Sequence, residues 1–225
     1  MFLNIKDLYF KYNNSKEYTI NKLNMNIDRG DVLAILGESG SGKSTILRLI
    51  AGLEEPLKGS ISLNDNILMD KNTFIMPENR EIGMVFQDYA LFPHMTVSKN
   101  ILFGLDKMNK KKKISRLNEV LKLIDMVEYK DRYPHELSGG QQQRIALARA
   151  IAPRPSVLLM DEPFSNLDAD LKNKIRKELK EILNKADITT IFVTHNKEDA
   201  RAIANKVIVL DKGIKINKGL VDNII

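Results

Sequence analysis

The chain has 225 residues, 43% of them hydrophobic and none of them Cys or Trp, and its 35 Lys+Arg against 29 Asp+Glu leave a formal charge of +6. That much apolar material over this length excludes a disordered tail and a small disulfide-stapled scaffold, and points to one large domain or a domain carrying an insertion. Without cysteine there is no disulfide, thiolate nucleophile or Cys-held metal, a composition compatible with a reducing, cytoplasmic setting.

The first eleven residues alternate polar and apolar and lack the basic start and continuous apolar core of a signal peptide. No apolar run approaches the ~18 residues that span a bilayer. Leu8, Phe10 and Tyr12, then Leu23, Met25 and Ile27, repeat with period two, as half-buried antiparallel strands do, and Ser60 to Leu63 adds another short strand. Between them Val32 to Leu36 is apolar without alternation, the pattern of a strand covered on both faces.

That strand runs into Gly37-Glu38-Ser39-Gly40-Ser41-Gly42-Lys43-Ser44-Thr45, which satisfies G-x-x-x-x-G-K-[ST] in the required strand-to-helix setting. The glycines let backbone N–H groups converge on phosphate oxygens, and the helix that follows, marked by Ile46, Leu47, Leu49 and Ile50, adds its positive end. Lys43 is placed to reach β and γ phosphates, and the Ser44 hydroxyl to ligate Mg²⁺.

Further on, Ile82 to Phe86 reads as a strand ending at Gln87, whose amide suits Mg²⁺ or water but also suits a plain strand terminus. From Thr96 to Ala152 the periodicity is helical, which makes residues 87–152 an inserted helical subdomain in a core of residues 1–86 and 153–225. Residues 86–152 hold 12 Lys/Arg and 7 Asp/Glu, so most of the net charge is here. The run Lys110 to Lys113 reads as a solvated helix start. Leu137-Ser138-Gly139-Gly140-Gln141 opens a helix and offers a second anion site, or simply a helix cap after a turn.

Val157 to Met160 is a second buried strand, with Asp161 at its carboxyl end, where α/β sheets bind ligands, as a Mg²⁺ partner. Glu162 follows, as a base for an attacking water or as a helix-start acid. After a helix carrying Leu171, Ile175, Leu179, Ile182 and Leu183, a third buried run, Thr190 to Val193, leads to His195, a phosphate contact or a hydrogen-bonded structural residue. Strands alternating with helices make an α/β fold with a parallel sheet.

Taken in order, the phosphate loop, Gln87, Leu137 to Gln141, Asp161-Glu162, Ser165-Asn166-Leu167-Asp168 and His195 resemble the ATP-binding cassette (ABC) ATPases over essentially the whole chain. The resemblance implies a P-loop NTPase fold with a RecA-like parallel sheet, an N-terminal antiparallel β layer and an inserted helical subdomain. It implies ATP and Mg²⁺ as cofactors and a head-to-tail homodimer. Lys43, Ser44, Gln87, Asp161, Glu162 and His195 of one copy would then hold each ATP with Ser138, Gly139, Gly140 and Gln141 of the other. It also implies that Tyr12 stacks on adenine and that Asp168 lies near the nucleotide.

Residues 80–103 and Asp161 to Ser165 look like the ATPases of bacterial importers for ferric iron, polyamine, sugar, sulfate or thiamine. The implied partners are transmembrane permease subunits and, indirectly, a solute-binding protein, with the chain peripheral on the cytoplasmic face of the membrane. Tyr89 to His94 would lie near the groove that accepts a permease helix. Many such ATPases continue for about a hundred residues into a regulatory barrel, and this sequence stops at Ile225. An exporter ATPase, or a soluble ABC protein acting on nucleic acid or ribosomes, is the alternative; the latter usually carries two cassettes or coiled-coil arms, so no nucleic-acid partner is expected.

Overall fold

The computed structural model describes residues 2–105, 108–167 and 169–224. In chain order the elements are β1 (Leu3–Phe10), β2 (Ile20–Ile27), β3 (Val32–Leu36), α1 (Lys43–Ala51), β4 (Lys58–Leu63), β5 (Asn66–Met69), β6 (Ile82–Val85), α2 (Val97–Phe103), α3 (Lys110–Leu123), α4 (Gly139–Ile151), β7 (Val157–Asp161), α5 (Ala169–Ala186), β8 (Thr189–Thr194), α6 (Lys197–Ile203), β9 (Lys206–Asp211), β10 (Ile214–Leu220) and α7 (Val221–Ile224). Two sheets result, an antiparallel one ordered β2-β1-β4-β5 and a larger one ordered β10-β9-β3-β8-β7-β6. The larger sheet is parallel except for its edge strand β10.

The unbroken apolar runs have a direct structural meaning. Successive side chains on a strand point to opposite faces, and here each face feeds a different core. Leu33 and Ile35 of β3, with Val157 and Leu159 of β7, pack against α1 and the antiparallel sheet. Ala34 and Leu36, with Leu158 and Met160, pack against the helices from α2 to α6. Each fully buried Leu or Ile there contributes roughly 1.5–3 kcal/mol, so a polar residue at any of these positions would damage one core or the other.

The antiparallel layer departs from simple alternation. Leu3 and Ile5 are buried, then Lys6 and Asp7 are both exposed before Leu8 and Phe10 turn inward again. Asp7 has φ 44 and the pairing of β1 with β2 shifts register there, a bulge that resets which face is buried. Opposite it, Gly59 (φ 105) passes so close that a Cβ would stand 2.5 Å from the Asp7 carbonyl oxygen. The strand ends at Phe10, so Tyr12 lies beyond it and is 39% exposed, which corrects its placement in the alternating run.

Two further boundaries differ from expectation. β6 stops at Val85, two residues before Gln87, and β7 includes Asp161 as its last residue.

Candidate functional site

The phosphate loop joins the carboxyl end of β3 to the first turn of α1. Gly42 caps that helix in the left-handed region, φ 95, and a Cβ there would stand 2.8 Å from the Thr19 carbonyl oxygen. A Cβ on Gly37 would stand 2.5 Å from the Leu210 carbonyl oxygen and 2.6 Å from Ser41 Oγ. The loop therefore packs on its backbone, while Glu38, Ser39 and Gly40 at its tip face solvent. Ser41 Oγ is buried without a hydrogen-bond partner, and its carbonyl accepts from Gly213 N at 3.0 Å, which braces the loop against the β9–β10 turn.

Lys43 is only 5% exposed and its ammonium folds back over the loop, donating to the carbonyls of Gly37 (2.9 Å) and Glu38 (2.7 Å). Burial pushes its pKa down, opposed by the carboxylates of Glu162 and Asp161. Ser44 Oγ donates to Asp161 Oδ1 at 2.7 Å, across 117 residues of sequence. Burial raises the Asp161 pKa; the Ser44 hydrogen bond works against this and Glu162 adds to it. An amine held on loop carbonyls, an orphaned hydroxyl and a hydroxyl–carboxylate pair form a cradle for polyanion and cation together.

Glu162 sits one residue past β7 with φ 44, strained for a residue with a Cβ. Its backbone is pinned on both sides: its N–H donates to the Val193 carbonyl (3.1 Å) and its carbonyl accepts from Ser165 Oγ (3.0 Å). Phe164, 1% exposed, anchors the following turn. The Glu162 side chain is 21% exposed, and its Oε2 lies 3.2 Å from His195 Nδ1, on the segment after β8.

Gln87 is exposed, and its carbonyl accepts from Asn166 Nδ2 at 2.8 Å, which brings the Gln87 and Ser165-Asn166 segments together. Tyr12 OH and Thr45 Oγ1 are 3.2 Å apart, and the Tyr12 ring meets Phe10 edge-on at 4.8 Å. Tyr12 thus stands over the start of α1 with much of its ring free. Asp168 lies outside the described residues.

Ser138, Gly139, Gly140 and Gln141 form a separate surface. Ser138 caps α4 with a full capping box: its Oγ accepts from Gln141 N (3.4 Å), and Gln141 Oε1 accepts from Ser138 N (2.9 Å). Ser138, Gly140 and Gln141 line a cleft with Arg144, Lys174 and Glu178 to which no phosphate-loop residue contributes. The chain thus brings together Lys43, Ser44, Asp161, Glu162 and His195, and leaves Ser138 and Gly139 exposed on a surface of their own, with Leu137 and Gly140 buried beside them.

No motif or periodicity assigned a role to Arg80. It is 1% exposed, and its guanidinium donates to the carbonyls of Ile75 (2.7 Å), Leu49 (2.9 Å) and Ile50 (3.0 Å), clamping the carboxyl end of the phosphate-loop helix. Burial pushes its pKa down to about 10.

Comparison with known proteins adds the family. The ABC transporter family profile matches residues 20–165. The chain belongs to the ABC transporter family. Its relatives include a probable sulfate/thiosulfate import ATP-binding protein of Chlorella vulgaris, 46% identical over 89% of this chain and 84% of that protein. An Fe(3+) ions import ATP-binding protein of Fusobacterium nucleatum is 47% identical over 86% of this chain and 52% of the relative, so the chain spans about half the length of several ABC relatives it matches. Among solved structures, cbiO1 from Clostridium perfringens, part of the ABC transporter complex cbiONQ, superposes with TM-score 0.89 at 32% identity, covering 99% of this chain and 90% of that one. The dimeric, post-hydrolysis ATP-binding cassette MJ0796 with ADP and Pi gives TM-score 0.82 at 31% identity over 97% and 98%. The ABC cassette fold is thereby the fold of this chain.

Proposed function

We propose that this chain is the ATP-hydrolysing subunit of a bacterial ABC importer, acting as a head-to-tail homodimer beneath permease subunits on the cytoplasmic face of the membrane. One observation carries the reading: Lys43, the Ser44–Asp161 pair and the Glu162–His195 pair converge at the carboxyl ends of β3, β7 and β8. Among the described residues no helix is long and apolar enough to cross a membrane, in keeping with a peripheral subunit.

In this mechanism the triphosphate lies along the loop's N–H groups and α1's positive end, and Lys43 exchanges two carbonyls for phosphate oxygens. Among the described residues no cluster of three or more His, Cys, Asp or Glu could hold a metal by itself. Ser44, Asp161 and Gln87 instead suit Mg²⁺, which binds through few protein ligands together with substrate phosphates and would neutralise charge on them. Glu162 accepts the proton of the attacking water, and His195, bonded to its carboxylate, faces the departing γ-phosphate. Ser138 to Gln141 of the second copy close the site, their helix end meeting the same anion.

Residues 87–152 would act as a helical unit that reports to the permease. Asn100, 0% exposed, holds the backbone of Phe92, Met95 and Thr96, and Arg149 donates to the carbonyls of Tyr89 (2.9 Å) and Ala90 (2.6 Å). Beside this segment an apolar cleft lined by Met84, Phe86, Phe92, Phe103 and Met108 suits a short helix of the membrane subunit. The solutes named for the relatives, sulfate, ferric iron, trehalose/maltose and putrescine, make a small polar or charged solute the expected cargo class.

The test is turnover against oligomeric state. ATP hydrolysis followed with light scattering should rise with the square of protein concentration while the chain is mostly monomeric. A preparation that stays monomeric throughout turnover yet hydrolyses ATP at full rate overturns the shared-site mechanism.

A further inference from the structure

His195 raises a problem of orientation. Its side chain is 63% exposed, and among the described residues its ion-pair contact is with Glu162. Packing does not aim an imidazole this open, so its placement rests on the Glu162 contact and on the backbone of residues 194–196.

That backbone is fixed by a buried chain of polar contacts. Arg176, in the middle of α5, donates from Nε (2.8 Å) and Nη2 (2.5 Å) to Asp199 Oδ1 on α6. Its Nη1 donates to Asn173 Oδ1 (2.9 Å) and to Glu198 Oε2 (3.2 Å). Asp199 Oδ2 accepts from Thr194 Oγ1 at 2.7 Å, and Thr194 Oγ1 accepts from Asn196 N at 3.1 Å. Arg176 and Asp199 are each 5% exposed and Thr194 is 2% exposed. With its proton committed to Asp199, the Thr194 hydroxyl has a lone pair aimed at the Asn196 amide, which fixes the turn around the single intervening residue, His195.

A buried ion pair is a weak source of net stability, since an apolar replacement of the same shape often does as well. What it supplies is a unique geometry. We propose that Arg176, Asp199 and Thr194 are positioning residues for hydrolysis: they hold the 194–196 turn so that His195 meets Glu162 and the γ-phosphate. The proposal rests on the roles given above to Glu162 and His195. It also makes α5, which follows the Ser165-Asn166 segment beside Gln87, part of the support of the catalytic pair.

The experiment measures kcat and KM for ATP on the full chain, with ATP affinity and thermal unfolding recorded for each variant. Thr194→Val keeps the shape and removes the hydroxyl; kcat should fall about tenfold or more, the scale of misplacing a reacting group by a fraction of an ångström. KM should stay within about threefold, because the triphosphate contacts are elsewhere. Thr194→Ser, which restores the hydroxyl, should recover most of the lost rate. Asp199→Asn should lower kcat in the wild-type background but add nothing to His195→Ala, because both act through the same imidazole.

A folded Thr194→Val chain with kcat within about twofold of wild type overturns the proposal. So does an Asp199→Asn loss of equal size with and without His195. If Asp199→Asn fails to fold, the Thr194 pair decides alone. His195→Ala turning over at the wild-type rate would defeat the parent reading as well, whereas a normal Thr194→Val rate beside an impaired His195→Ala defeats this inference only.

Discussion

Replacing Glu162 by Gln removes one charge and keeps nearly the same shape. The backbone anchors of residue 162, to the Val193 carbonyl and from Ser165 Oγ, are indifferent to the change, and an amide can keep a hydrogen bond to His195, so stability should move by less than about 0.5 kcal/mol. On the proposed mechanism the chemical step loses its proton acceptor. A positioned general base is worth roughly 10²–10⁴-fold, or about 3–5 kcal/mol of barrier, and kcat should fall within that range. Binding should change the other way. Glu162 and Asp161 are the two acids that act on Lys43, and Glu162 also repels an incoming triphosphate. Unit charges about 6–8 Å apart interact by about 2–3 kcal/mol at an effective dielectric of about 20, so ATP affinity should hold or tighten, and a dimer should accumulate with ATP on gel filtration with light scattering. Turnover within about tenfold of wild type would refute the assignment of the base and leave the proton to another group.

Lys43→Ala should weaken ATP binding by about tenfold or more, measured by calorimetry, because the phosphates lose a charge-assisted donor; unchanged affinity would remove Lys43 from the site. Asp161→Asn should stabilise the empty protein by up to about 2 kcal/mol at neutral pH while abolishing Mg²⁺-dependent hydrolysis. The sign follows from burial: the folded carboxyl has a raised pKa, so ionisation favours the unfolded chain and costs stability as pH rises from the ordinary value through the folded one. The variant's advantage in urea denaturation should therefore shrink toward pH 4, and an advantage that grows on acidification would contradict the cause assigned. Gly52→Ala should destabilise by about 2 kcal/mol or more in the same assay, since residue 52 has φ 81 and a Cβ there would stand 2.4 Å from Arg80 Nε; a loss under about 0.5 kcal/mol would contradict both the backbone strain and the clash.

Where the physics is local, the sequence was readable. Backbone amides that wrap a phosphate need glycines and small residues close together in sequence, so the loop from Gly37 to Thr45 is written contiguously, and strands buried on both faces carry apolar runs without alternation, so Val32 to Leu36, Val157 to Met160 and Ile191 to Val193 stand out. Boundaries were less clear. The bulge at Asp7 moved the inward set by one residue, and Tyr12, which fits the alternation on paper, fell outside the strand. Charged side chains buried against distant partners outside the motifs left no trace. Arg80 clamps carbonyls about 30 residues earlier, and Arg176 meets Asp199 23 residues later; a charged residue destined for burial looks like any other until its partner is known. Ser138 shows the reverse case: the helix cap that was one of the two readings of its local sequence is present, with Gly139 exposed beside it and Gly140 buried.

The backbone at residue 162 has one more implication. A side-chain-bearing residue held at φ 44 costs of order 1–3 kcal/mol, and glycine would release that tension. On the proposed role of Glu162, durability and chemistry pull this position in opposite directions: a Glu162→Gly chain should melt later than Glu162→Gln, which keeps the cramped geometry, although both should be impaired in hydrolysis. Equal melting temperatures would mean that the turn rests comfortably as it is.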